Sequence, residues 1–419
     1  MNAERKENME QRILDKIDAV IQQAAPELKE LALKLHANPE LGHEEFKACQ
    51  WQVELLKKYG FEVADHFCDI PTAFHAAYRG AKPGVKIAML TEYDALAELG
   101  HACGHNLIAM VGVGSGIAIR ELVDEYGGEI HVIGCPAEET AGAKVPMAAK
   151  GAFDGFDVAM MAHPGHVDVE SCNTLAIQAI KVEFFGRPAH AAGAPETGLN
   201  ALDAMINFFN LVNALRQQTK PDARIHGIIT KGGSAVNVIP DYTEALFNIR
   251  SNRVADVKPL TERVKACAQA AALGTGCTVK ISKYDEDFMD TCTNVYLSNL
   301  ACEQMEALGH PMLKLGNMTM PGSSDVGDVS YHCPAIQLSF GMGLPEGYVG
   351  SGNPFTDIPY GPHTKEFAAQ ACRPEALNNG LDFVKGFAMT ACKLMTEPEH
   401  LEKIKAEFNR EVAGKLVSW

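Results

Sequence analysis

The sequence predicts an α/β protein: one domain, built on a central mixed sheet flanked by helices, is split by the insertion of a second, smaller domain. Three observations carry this. Short apolar runs, each suited to a buried strand, recur as "VKIAML" (85–90), "EIHVIG" (129–134) and "FDVAMMA" (156–162). Between the first two lies "NLIAMVGVGSGIAIRELVDEY" (106–126), long and periodic enough for a helix. Over residues 174–287 the order changes to strand, helix, two strands, helix, strand, after which the first pattern resumes.

In chain order, the first 60 residues read as helix, with apolar residues at helical spacing and an interruption at Pro26. The three strands and their helix complete the first half of the larger domain (1–173). The insert then runs through "TLAIQAIKVEFFG" (174–186, strand), "GLNALDAMINFFNLVNALRQQ" (198–218, helix), "RIHGIITKG" (224–232) and "TEALFNIRSN" (243–252, both strands). "VADVKPLTERVKACAQAAALG" (254–274) is helix and "CTVKISKYD" (277–285) the closing strand. That order is a ferredoxin-like sandwich of about a hundred residues. The second half of the larger domain (288–419) holds "AIQLSF" (335–340) as strand and "EALNNGLDFVKGFAMTACKLM" (375–395) as a late helix. A chain of 419 residues exceeds what one ordinary core organises, which fits two domains.

Composition narrows the function classes. With 37 basic and 53 acidic residues the net charge is −16, which disfavours nucleic acid or an anionic membrane as partner. No apolar run reaches the ~18–20 residues that span a bilayer. The stretch "MNAERKENMEQRILDKIDAV" is charged and amphipathic, without a signal-peptide core. Twelve cysteines lack framework spacing and read as reduced thiols, so a cytoplasmic location is expected.

The chemistry lies just beyond the end of each strand. After "VKIAML" come Glu92, Asp94, Cys103 and His105; after "EIHVIG" come Glu138 and Glu139 in "PAEET"; after "FDVAMMA" comes "HPGH", with His163 and His166. Ligands of open α/β sheets collect beyond the carboxyl ends of strands, and three strands here end in potential metal ligands. In "HACGH", His101 and His105 are four apart, but Gly104 inside the interval argues for a loop entering a helix, with Cys103 and His105 aimed at one point. Two adjacent glutamates can divide labour, one ligating and one moving protons. One thiol, several imidazoles and the carboxylates exceed the ligands of a single zinc, and suit a metal pair roughly 3.5–4 Å apart that assists hydrolysis of an amide. Two other readings stay open: a cysteine hydrolase with Cys103 as nucleophile and His101 or His105 as base, and a binding or regulatory protein without catalysis.

These motifs, with "HANPELGHEE" (36–45), "GRPAHAAGAPETGLNALDA", "GGSAVNVIP", "SSDVGDVS" and "GPHTKEF", resemble in their order the aminoacylase/carboxypeptidase G family of dinuclear metallopeptidases, in its amidohydrolase-like branch. The resemblance runs almost end to end. It implies two divalent metal ions per subunit, zinc first, with manganese or cobalt as alternatives. Cys103, His105, Glu139, His163 and His363 would be the ligands, Glu138 the general base, and Asp94 the acid that orients a ligand. The insert would be a lid that also forms a homodimer, offering His226, Asn237 and Arg250 to substrate in the partner subunit. The implied substrates are N-acyl-amino acids, small dipeptides or aryl-amide conjugates such as p-aminobenzoyl-glutamate. Many members carry a proline where this chain has Ala97 in "DALAEL", which leaves substrate preference open. "MTMPGSS" and the Gly/Pro-rich "GLPEGYVGSGNPFTD" (343–357) read as loops lining a pocket.

Overall fold

A computed structural model describes residues 3–316, 318–343, 348 and 361–412, and for residues 3–10 the backbone alone. The helices and strands run in the order α1 (Ala3–Ala37), α2 (Phe46–Lys58), β1 (Glu62–Asp65), β2 (Phe74–Arg79), β3 (Lys86–Thr91), α3 (His105–Tyr126), β4 (Glu129–Gly134), α4 (Lys144–Ala149) and β5 (Val158–Gly165). Next come β6 (Ala176–Phe185), α5 (Ala201–Leu215), β7 (Arg224–Lys231), β8 (Tyr242–Ser251), α6 (Val254–Thr275) and β9 (Thr278–Lys283). The chain ends with α7 (Val295–Ala307), α8 (Val326–Ser330), β10 (Ala335–Gly341), α9 (Lys365–Gln370), α10 (Pro374–Thr396) and α11 (Pro398–Val412). Two compact units result. Among the described residues, one holds everything up to Asn173, Cys292–Met318 and Asp328 onward; the other holds Thr174–Thr291 and Thr319–Gly327.

The first unit is organised by a six-stranded mixed sheet in the order β1-β2-β4-β3-β5-β10. β4, β3, β5 and β10 are parallel, and β2 and β1 add an antiparallel edge. In register, Ile87 of β3 lies between Ile130 and Val158. Such strands are apolar on both faces because helices cover both. α3 packs on β3, β4 and β5 and against α1 and α10. A Cβ on Gly116 would stand 2.3 Å from a Val132 methyl, so glycine is what allows this close approach.

Three sequence expectations can be set against the structure here, and two of them are corrected. Pro26 does not interrupt α1, which runs straight through it. The proline lies on the exposed side, where the carbonyl it strands can meet water. Burial of Ile17, Ala24, Leu28, Leu31 and Leu35 on the other side offsets the roughly 3 kcal/mol an interior proline costs. Second, the expectation that no segment spans a bilayer is not overturned: α3 is long and apolar enough by length and composition alone, but 89% of its most apolar window is buried in this protein's own core. Third, β5 extends past His163 to Gly165. β3 pairs with β5 only as far as Met160, so Pro164 sits where β10 alone runs alongside, a position that tolerates its missing N–H.

The second unit is a four-stranded antiparallel sheet, β7-β8-β6-β9, with α5 and α6 packed on it. β8 alternates strictly: Thr243, Ala245, Phe247, Ile249 and Ser251 are buried and the residues between are half-buried. Phe247 meets Phe208 of α5 at 4.9 Å between ring centres. The side chain of Asn200 caps α5 by accepting the N–H groups of Leu202 and Asp203.

Candidate metal centre

The site is assembled in the first unit from strand ends. Beyond β3, Glu92 and Asp94 are fully buried. The loop after them ends at Gly104, which has φ 76° and lies so near Pro164 that a Cβ would stand 2.4 Å from its Cγ. Only glycine meets both demands, and it sets Cys103 and His105 on either side of the turn into α3. The carbonyl of Ala102 accepts the His363 N–H at 2.9 Å, tying that distant histidine to the same loop. Beyond β4, Ala137 takes φ 58° ahead of Glu138 and Glu139. Its N–H donates to the buried carboxylate of Glu45 at 2.7 Å, and its carbonyl accepts the Gly142 N–H at 2.7 Å.

One carboxylate orders much of the rest. Asp94 Oδ1 meets His105 Nδ1 at 2.9 Å, and its Oδ2 accepts the Glu139 N–H at 2.9 Å. His163 Nδ1 pairs with the Pro164 carbonyl at 2.9 Å. Each ring thereby turns Nε2 towards the other ligand atoms, the usual way a protein presents imidazole to a metal. Three groups of ligand atoms result, each within 4.8 Å of one another: Cys103, His105 and His163; Cys103, Glu139 and His363; and Glu92, His105 and Glu138. Neighbouring separations are 3.3 Å for His363–Glu139, 3.6 Å for Cys103–His163 and 3.7 Å for His105–Glu139. Ligands sharing one tetrahedral zinc would lie about 3.3–3.8 Å apart. His105 Nε2, Glu139 Oε1 and Glu92 Oε2 are buried without a hydrogen-bond partner. Facing acceptors with no donor between them are what a cation satisfies, so the donor set fits a metal.

The electrostatics follow the packing. Burial works against the charged form of Glu139, yet His363 and His105 hold its carboxyl down to about 2. Burial likewise opposes ionisation of Asp94, but His105 and the Glu139 N–H keep it below the usual range. His363 is raised by its contact with Glu139, whereas burial lowers His163. Burial also pushes the Cys103 thiol well up.

Of the residues singled out from the sequence, Asp94, Cys103, His105, Glu138, Glu139, His163 and His363 come together. His101 is buried and stacks on His36 at 6.3 Å between ring centres. His226 and Arg250 belong to the second unit, where they line a cavity of about 340 Å³ with Leu175, Asp222, Thr319 and Pro321. Arg250 donates to the Ser323 hydroxyl at 3.1 Å, and its Nε is buried without a partner. Asn237 is exposed and is not among that cavity's lining residues. Thr319 and Pro321 come from "MTMPGSS", while nearly all of the 343–357 loop lies outside the described residues. Sequence reasoning overlooked Glu45 and Lys144; the latter donates to Glu92 Oε1 at 2.5 Å, with both side chains fully buried.

Comparison with known proteins gives the family. Residues 176–275 match the peptidase dimerisation domain. The Xaa-Arg dipeptidase of Mus musculus is 34% identical over 420 residues, covering 96% of this chain and 92% of that protein. One of the p-aminobenzoyl-glutamate hydrolase subunits of Escherichia coli (strain K12) is 33% identical over 316 residues, 70% of this chain and 65% of its own. Among solved structures, the aminobenzoyl-glutamate utilization protein of Klebsiella pneumoniae superposes with a TM-score of 0.68 at 18% identity, covering 90% of this chain and 98% of that one. A dinuclear metal-binding peptidase of the M20 family from Bacillus subtilis gives 0.63 at 18% identity, with 90% and 99% covered. The chain belongs to the M20 family of metal-dependent peptidases, hydrolases of amide bonds.

Proposed function

We propose that the protein is a homodimeric, dinuclear-metal amidohydrolase of the cytoplasm that cleaves N-acyl-amino acids, small dipeptides or aryl-amide conjugates such as p-aminobenzoyl-glutamate. The observation that carries this is the convergence of thiol, imidazole and carboxylate atoms whose buried acceptors have no donor. Cys103, His105, Glu139, His163 and His363 would hold two divalent ions. Thiolate and imidazole favour zinc, with manganese or cobalt as alternatives. When bound, such a pair acidifies a water and polarises a carbonyl. Glu138, with a carboxylate oxygen 4.0 Å from His105 Nε2, takes the proton of the attacking water and passes it to the leaving nitrogen. Asp94 fixes the His105 ring and, through the Glu139 N–H, the turn that carries both glutamates.

The substrate classes rest on the relatives, a dipeptidase and an aminobenzoyl-glutamate hydrolase. Arg250 and Asn237 would bind the free carboxylate of the leaving amino acid, and His226 would reach the partner subunit's reacting carbonyl. All three lie inside the stretch that matches the dimerisation domain. β7, which carries His226, is an edge strand exposing Ile228 and Ile229, which suits pairing with a second copy. A cysteine hydrolase is disfavoured, because it leaves Glu138, Glu139, His163 and His363 without a role. A non-catalytic role is disfavoured because every expected ligand position is filled.

The test is Glu138→Gln. Turnover of N-acetyl-amino acids, dipeptides and p-aminobenzoyl-glutamate should fall by about 10²–10⁴, the usual cost of a lost general base, while metal content stays at the wild-type value. Loss of a metal from this variant, with both retained in Glu139→Gln, would reverse the two roles.

A further inference from the structure

Glu92 stands outside the five residues proposed above to hold metal, yet it is built into the same patch. Both it and Lys144 are fully buried, and Lys144 Nζ donates to Glu92 Oε1 at 2.5 Å. The other oxygen, Oε2, faces His105 Nε2 at 3.6 Å, and neither atom has a hydrogen-bond partner. The opposite edge of the His105 ring is taken by Asp94. In the neutral ring, with the Nδ1 proton given to Asp94, His105 Nε2 is an acceptor facing a carboxylate oxygen, and both forgo hydrogen bonds to water. Left so, the arrangement is unfavourable; a cation between them reverses its sign.

We propose that Glu92 Oε2 is a sixth protein donor of the metal centre, beside His105, and that Lys144 makes it available. The lysine engages one carboxylate oxygen and leaves the other to the ion. It also closes the charge balance. Asp94, Glu92, Glu138, Glu139 and a Cys103 thiolate carry five negative charges, two divalent ions supply four positive ones, and Lys144 supplies the fifth. A buried lysine is costly in an apolar core and stable here, because the surrounding anions need it.

This inference rests on the dinuclear reading and can fail separately from it. Protein stripped with a chelator is titrated with Co²⁺, and both bound cobalt per subunit and the visible d–d spectrum are recorded. Wild type should take two ions. Glu92→Gln, which keeps the size and an oxygen for Lys144 but cannot offer an anionic donor, should bind one ion at least tenfold more weakly. Its d–d bands should also change. Two ions bound by Glu92→Gln with wild-type affinity and spectrum would overturn the role of Glu92 and leave the dinuclear centre standing. No cobalt bound by wild type would overturn both. Should Glu92→Gln fail to fold, Glu92→Asp keeps the charge on a shorter arm, and a cobalt spectrum identical to wild type would overturn the proposal equally.

Discussion

Glu45 shows how one side chain can set the state of a site it does not enter. Fully buried, it accepts the N–H of Ala137, the left-handed residue from which Glu138 and Glu139 project. Burial, reinforced by the charge of Asp94, lifts its carboxyl from 4.5 to about 7. The fold therefore holds this proton more tightly than the unfolded chain does. Its contribution is fully present below pH 4.5 and is lost as pH rises through about 7. Glu45→Gln keeps an acceptor and cannot titrate. Urea unfolding should show wild type losing about 2–3 kcal/mol relative to the variant between pH 5 and pH 8. A constant difference across that range would mean that the carboxyl does not change its charge there. Neither Glu45 nor Lys144 is legible in the sequence. A glutamate in "GHEEF" and a lysine in "AGAKVPMAA" have the look of solvated charge, and only contacts from distant segments bury them. His163 stands out because it directly follows an apolar run, and Cys103 and His105 because a thiol and an imidazole two apart close the acidic loop after another.

At the scale of elements, the turn from the acidic loop into α3 concentrates the local strain. Gly104 is needed there for its positive φ and for the space that Pro164 takes up. Gly104→Ala should cost more than the roughly 1 kcal/mol of a strained backbone, because the methyl must also displace the proline ring. Metal content should fall with stability, since Cys103 and His105 flank the turn. A variant with the wild-type urea midpoint and full metal content would show that the loop relaxes freely. The strands β3, β4 and β5 and the helix α3 are legible from long apolar runs. β1 and β2 are not, because "EVAD" has almost no buried residue and "FHAAYR" mixes polar and apolar positions. They exist as strands because β4 offers β2 an edge, and β2 in turn offers one to β1.

For the whole molecule, the dimer proposal makes a claim that no single variant can test. If His226 serves the partner subunit, Glu138→Gln and His226→Ala homodimers are both inactive, yet their mixture is not. Random reassortment makes half the dimers heterodimers, each with one intact composite site, so recovery should approach about a quarter of wild-type activity. No recovery, with heterodimers confirmed by mass, would confine His226 to its own subunit or to no role. The insertion itself is legible from its change of strand and helix order. Its exact seam is not, because residues 319–327 join the second unit through contacts such as Leu175 N–H to the Gly322 carbonyl. The ends of the insert are fastened to each other: Ile177 bridges Phe288, and the hydroxyls of Thr174 and Thr291 meet at 2.6 Å. A segment that leaves and returns through one doorway is a cassette. Domain insertion is best tolerated where the two ends of a segment lie together, so change within this one need not unpick the rest of the chain.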